Sequence, residues 1–223
     1  YRGNSDGFVC VFSSNLSRLV FSSYIGGSSY DAVNGMVVGA DNHIYLSGGT
    51  RSTNFPVLNA LQPTLKGRMD AFVARIDHLG NLVFSTYLGG PDTGIEISEE
   101  ETSFDIALDS MQNIYLTGVT GSRTFPVLQA IQPVFGGVED AFIVKISGDG
   151  SALLYSTYLG GTRADRGRAI AVDSFGQPVI TGYTLLGDFP TANALQPDYR
   201  GNLDAFVSKL TADGSEFIFS TFL

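Results

Sequence analysis

Apolar and polar positions alternate along this chain in short bursts that end in glycine- and aspartate-bearing turns. Phe72, Ala74 and Ile76 fall on one face of an extended backbone, while Val73 and Arg75 fall on the other. That period of two predicts a strand with one covered face. The turns that follow such segments, at Asp77–Gly80, Ser147–Gly150 and Ala212–Gly214, carry the Gly and Asp that tolerate positive φ in a hairpin loop. A second kind of segment, as in Ile170–Val172 and Val179–Thr181, is nearly continuous in apolar or β-branched residues, as expected of strands covered on both faces. Prolines stay between these segments except Pro178, which opens a strand, where the missing N–H does little harm.

Laying the chain on itself shows that the pattern repeats. Asp-Ala-Phe occurs at Asp70–Phe72, Asp140–Phe142 and Asp204–Phe206, with Asp6-Gly7-Phe8 as a weaker copy, at spacings of 64, 70 and 64 residues. Each copy is followed by an aromatic strand that leads into a double glycine, at Phe21–Gly27, Phe84–Gly90 and Tyr155–Gly161. The last copy, Phe219–Leu223, stops before its glycines. A second pair of strands follows, at Gly35–Thr50, Asp105–Thr120 and Ala169–Thr184, and then a Phe-Pro…Gln-Pro connector at Phe55–Pro63, Phe125–Pro133 and Phe189–Pro197.

Two hairpins per unit of about 65 residues, with apolar faces on both sides, predict the four-stranded blade of a β-propeller. A solenoid would use shorter rungs, and a sandwich needs about seven strands per domain. The expected fold is therefore all-β: one propeller domain with about three and a half blades present. It divides into a half blade over residues 1–34, a blade over 35–104 that carries an acidic insertion at 91–104, a blade over 105–168 and a blade over 169–223. The Asp-Ala-Phe hairpin appears four times and the other hairpin three, so the chain is expected to be an open fragment of a larger propeller, completed by further blades of the same polypeptide.

Composition narrows the functional classes. Sixteen Phe and ten Tyr supply ample core surface, which excludes disorder. A net charge of −9 repels phosphate backbones and anionic membranes, so nucleic acid is not an expected partner. No apolar run reaches the length of a membrane span, so direct membrane insertion is not expected either. A signal peptide, if the protein has one, is expected upstream of the sequence at hand. One cysteine allows no internal disulfide and leaves the redox compartment open.

The ordered set D-A-F-[VI]-x-[KR]-[IL], [FY]-S-T-[YF]-L-G-G, A-[IL]-x-[VL]-D-S…[IL]-T-G and F-P…A-[LI]-Q-P resembles the bacterial seven-bladed β-propeller (SBBP) repeat family over almost the whole chain. The first copy departs most, with Gly7 for Ala, Val11 for the basic residue and Gly39 for Asp. The resemblance implies a propeller in a large secreted or surface-attached bacterial protein, extracellular or at the cell surface, and no catalytic activity.

Candidate chemistry is sparse. Cys10 stands where other copies have Ala74, Val144 and Ser208, and reads as a small packed side chain. His43 and His78 sit beside or in turns, and two imidazoles are too few for a histidine-based metal or catalytic site. No nucleophile elbow or P-loop is present. Asp6, Asp70, Asp140 and Asp204 each precede a strand and are read as acceptors for turn N–H groups, with a repeated Ca²⁺ site as the alternative; the D-x-D-x-D spacing that would favour calcium is missing. No catalytic, cofactor-binding or metal residue is assigned.

One break in register stands out. Between the double glycine and the next strand, the first and third copies have seven residues (28–34 and 162–168), and the second has fourteen, 91–104. That loop packs in Asp92, Glu96, Glu99, Glu100 and Glu101, while its counterpart carries Arg163, Arg166 and Arg168. Equivalent loops leave on the same rim, so these residues form the candidate interaction loops: a tolerated insertion first, and otherwise a seat for a cationic partner or Ca²⁺, a pair of mutually bonded loops, or a docking surface between propellers. The expected function is a non-catalytic scaffold that meets a protein or glycan ligand, or itself, through rim loops. A repetitive extracellular filament or surface layer is one alternative, and a propeller hydrolase or lyase with its site outside this fragment is the other.

Overall fold

In the computed structural model, which describes residues 3–91 and 100–223, the described chain forms fourteen strands and no helix. β1 (Gly7–Phe12) and β2 (Leu19–Ile25) make a two-stranded sheet. β3 (Asp31–Val38), β4 (Ile44–Thr50), β5 (Asp70–Ile76) and β6 (Leu82–Leu88) make the first four-stranded sheet. β7 (Glu101–Leu108), β8 (Ile114–Thr120), β9 (Asp140–Ile146) and β10 (Leu153–Leu159) make the second, and β11 (Asp165–Val172), β12 (Pro178–Thr184), β13 (Asp204–Leu210) and β14 (Phe217–Phe222) the third. Every pairing is antiparallel between sequence neighbours, so each sheet is a meander of the kind a propeller blade uses. The Asp-Ala-Phe hairpin β13–β14 is joined to β11–β12 in one sheet, whereas β1–β2 has no inner hairpin beside it among the described residues.

The apolar cores lie between sheets. Val9 and Ile25 pack with Leu46, Phe72 and Tyr87; Tyr45, Val73 and Phe84 pack with Ile106, Leu116 and Phe142; Tyr115, Ile143 and Tyr155 pack with Ile170, Ile180 and Phe206. This is why β4, β5, β8 and β9 lack a polar face: both of their sides are covered. The first strands are neighbours, β3 against β7 and β7 against β11.

Each connector crosses its own sheet. Its phenylalanine packs on the Asp-Ala-Phe ring, tilted with centroids 4.5 Å apart for Phe55 and Phe72, and stacked at 4.9 Å for Phe125 and Phe142 and 4.2 Å for Phe189 and Phe206. Further along, Leu58, Leu128 and Ala192 bridge to Ser85, Ser156 and Ser220 of the outermost strand. Gly80, Gly150 and Gly214 take positive φ in the first hairpin turn, and Asn42, Gln112 and Gly176 do so in the second. The turn chemistry thus repeats even where the residue type does not.

Two expectations are corrected. Strands β3, β7 and β11 begin four residues before the register read from sequence, because each contains a β-bulge, at Asn34, Phe104 and Arg168. The loop after the double glycine is therefore three residues long at 28–30 and 162–164 and ten long at 91–100. Cys10 is exposed rather than packed; its sulfur lies 3.1 Å from Ser22 Oγ. Its counterparts Ala74, Val144 and Ser208 are fully buried, because a connector and an inner hairpin cover their sheets, and among the described residues β1 has neither beside it.

Candidate interaction surface at the blade junctions

Each junction between sheets is built on a pair of carboxylates with the double glycine between them. One carboxylate stands at the start of the Asp-Ala-Phe strand, just before β1 or as the first residue of β5 and β9, and the other opens the first strand of the next sheet: Asp6 with Asp31, Asp70 with Glu101, Asp140 with Asp165. The stretches just before these residues join as parallel bridges, Ser5 to Tyr30, Met69 to Glu100 and Glu139 to Ala164. The glycines are required by space. A β-carbon on Gly160 would lie 2.7 Å from Asp165 Oδ2 and 3.0 Å from Asp140 Oδ1, and one on Gly26 would meet Asp6 and Asp31 in the same way.

The Asp-Ala-Phe aspartates are anchors for their own connectors. Asp70 accepts from Gln62 Nε2 at 2.6 Å, Gly67 N at 2.8 Å and Lys66 N at 2.9 Å. Asp140 accepts from Gly136 N at 2.8 Å and Gln132 Nε2 at 3.1 Å, and Asp204 from Arg200 N at 2.7 Å. Burial still dominates the titration of Asp70 and Asp140. Asp140 is pushed up to about 7 by burial and by the nearby charge of Asp165, and Asp165 to about 6 by burial and by Asp188; burial raises Asp70 as well.

Of the candidate loop residues, Asp92, Glu96 and Glu99 lie outside the described residues. Glu100 pairs with Arg51 at 2.8 Å across the first junction. Glu101 does not belong to a solvated rim loop: it opens β7, is wholly buried, and is pushed up to about 8 by burial and by the charge of Asp70. On the other side, Arg163 is exposed and lends its carbonyl to Val138 N. Arg166 is bound to Glu139 through two short contacts, 2.7 Å from Nε and 2.6 Å from Nη2. Arg168 lies over two rings, 4.4 Å from the Phe104 centroid and 5.3 Å from that of Tyr183. The three arginines thus go to three different places.

Sequence reading passed over the bulges. Asn34, Phe104 and Arg168 occupy the same bulge position on neighbouring strands, and each reaches toward the next sheet or is reached from it: Asn34 Nδ2 donates to Ser103 O at 2.9 Å, and Arg168 covers Phe104. Opposite each bulge a glycine is required, since a β-carbon on Gly48, Gly118 or Gly182 would overlap the carbonyl oxygen of Ala32, Thr102 or Arg166. The recurring Thr-Gly or Ser-Gly was the available signal. Bulges re-aim side chains, and here they turn three non-repeating residue types to one surface.

His43 sits 3.1 Å from Asp41 in its turn. Among the described residues no group of three or more His, Cys, Asp or Glu side chains is placed to hold a metal ion. No protein-family model matches the chain, and no curated protein matches it either.

Proposed function

We propose that this chain is a non-catalytic β-propeller repeat module of a larger secreted or cell-surface protein, a scaffold completed by further blades of its own kind that presents rim loops and bulge residues to a protein or glycan ligand. The observation that carries the reading is the face of β1–β2. Phe8 is 67% exposed, whereas its counterparts Phe72, Phe142 and Phe206 are fully buried under a connector phenylalanine. Tyr24 is exposed where Tyr87, Tyr158 and Phe222 are buried. An apolar face of this kind is matched by what covers it elsewhere in the molecule, an inner hairpin followed by a Phe-Pro connector. The motif resemblance to secreted bacterial propeller repeats supports the same reading, as does the irregularity of the rim against the regularity of the strands.

The test places a copy of residues 101–138, an inner hairpin with its connector, directly ahead of Ser5. The expected result is that Cys10, open to thiol reagents in the parent chain, becomes protected, and that the midpoint of thermal unfolding rises. Unchanged labelling of Cys10 in the extended chain would overturn the proposal.

A filament of stacked modules is the second reading. Ala205 of the third four-stranded sheet is exposed where Ala71 and Ala141 are buried, so that sheet too has an uncovered position, and a head-to-tail contact between copies need not close. Sedimentation distinguishes it, since a stacking chain gains mass with concentration.

A further inference from the structure

Glu101 opens β7 where Asp31 opens β3 and Asp165 opens β11; each faces a threonine at the end of the following strand, Thr120, Thr50 and Thr184. Glutamate is longer by one methylene than the aspartates at the same position. Both oxygens of Asp31 are used: Thr50 Oγ1 donates to one, and Ser52 Oγ at 2.8 Å and Gly27 N at 2.7 Å donate to the other. Glu101 Oε1 accepts from Gly90 N and Thr120 Oγ1, both at 3.3 Å, but Oε2 is buried without a hydrogen-bond donor.

That oxygen faces other oxygens. A β-carbon placed on Gly67 would lie 3.1 Å from Asp70 Oδ1, 3.2 Å from Gly90 O and 3.3 Å from Glu101 Oε2, so two carboxylates and a carbonyl converge beside one glycine. Asp70 and Glu101 are both wholly buried. Asp70 holds three donors, while its neighbour has an oxygen with none.

Among the described residues no Lys, Arg or His forms an ion pair with Glu101. Lys66, in the connector, acts on Asp70; Tyr158 of β10 feels the charge of Glu101; the adjacent Glu100 is taken by Arg51; Thr120 and Ser122 at the end of β8 carry no charge, and their hydroxyls favour the ionised carboxylate less than burial and Asp70 oppose it. Residues 92–99 read DTGIEISE and contain no Lys, Arg or His. Two buried carboxylates with a single shared neighbourhood cannot both ionise without a large desolvation and repulsion cost.

We propose that Asp70 and Glu101 share one proton, carried on Glu101 Oε2 and donated to Asp70 Oδ1, so that the stability of the junction between sheet β3–β6 and sheet β7–β10 depends on that proton. The upward displacement of the Glu101 carboxyl to about 8 agrees with this. Losing the proton puts two like charges on either side of Gly89 and Gly90, whose backbone leads directly into the insertion. The junction before β3 lacks this arrangement, since both oxygens of Asp31 have donors, whereas Asp140 Oδ1 and Asp165 Oδ1 at the junction before β11 are likewise buried without a donor.

The test is a carbon-detected NMR titration of the side-chain carboxyls in the whole chain, beside the Glu101→Gln variant. An amide at 101 keeps an acceptor for Gly90 and Thr120 and gives Asp70 a permanent donor. One glutamate resonance is expected to titrate near about pH 8 and to be missing from the variant. The thermal midpoint of the parent is expected to fall by several degrees more than that of the variant between about pH 5 and pH 9. Titration of Glu101 below about pH 5.5, or parallel pH profiles of parent and variant, would overturn the proposal. So would a rise in the parent's midpoint with Ca²⁺, reversed by chelator and absent from the variant, since the oxygens would then hold a cation. The titration is read on the parent, so it decides the matter even if Glu101→Gln does not fold.

Discussion

The Arg168 guanidinium lies 4.4 Å from the Phe104 ring centroid, and the two residues occupy the same bulge position on adjacent first strands of different sheets. A feature repeated within each sheet thereby becomes a contact between sheets. Arg168 also donates to Tyr183 OH at 3.3 Å, so one cation is held by two rings at the surface.

Removing that contact should cost little and be measurable only as a coupling. Partly exposed cation–π pairs contribute about 0.5–1 kcal/mol. Arg168→Ala and Phe104→Leu are expected each to destabilise mildly, and a double-mutant cycle by urea unfolding should return a coupling of that size. Additive effects would show that the stacking is incidental.

The connectors should matter far more. Phe125 is buried and stacked on Phe142 and also lies 6.1 Å from Tyr158. Phe125→Ala is expected to lose about 3–5 kcal/mol, the usual cost of deleting a buried phenylalanine. A denaturant midpoint within about a tenth of the parent's would contradict this.

The junction glycines should tolerate no side chain. Gly160→Ala forces a methyl between the Asp140 and Asp165 carboxylates, and a loss of about 1–3 kcal/mol is expected from overpacking. Gly176→Ala is the control: its β-carbon would come no closer than 3.7 Å to any neighbour, but φ is +75°, so only backbone strain of about 1 kcal/mol is expected. Calorimetric midpoints of the two variants give the comparison.

Acid should stabilise the second junction. Asp140 binds its proton up to about 7 in the folded protein, against 3.8 for the free residue. The folded state therefore holds more protons than the unfolded chain between those values. This contribution is full below about pH 4 and is lost as pH rises through about 7, by roughly 4 kcal/mol if the whole shift is expressed. Asp165, raised to about 6, adds to the same sign. Asp140→Asn should flatten the profile of unfolding midpoint against pH over that window, and an unchanged slope would show that Asp140 is ionised throughout.

Much of this molecule was legible before its shape was known. Hairpins follow from alternation and turn residues, which act between near neighbours, and the unit of two hairpins with a connector follows from self-similarity. The Asp-Ala-Phe aspartate could be read as an acceptor for nearby N–H groups because Lys66 N and Gly67 N lie only four and three residues away. Glu101 was misread for the opposite reason. In the sequence it ends a run of acids and resembles its solvated neighbours; in the fold it is the first residue of β7, because a bulge at Phe104 shifts the strand's start. Cys10 was misread in a similar way, since its repeat position is a packed one and only the sheet around it is incomplete.

What the sequence by itself determined, then, is the repeating local structure: where strands alternate, where turns need positive φ, and which phenylalanine meets which within a unit. What the tertiary structure alone decided is which carboxylates face each other across the double glycines, which residues the bulges bring to one surface, and which copy of a buried position lies open. The reason is physical. Periodicity is imposed by each strand on its own side chains, whereas burial and charge pairing at a junction depend on two sheets meeting, and nothing local to Glu101 or Cys10 records what stands beside it.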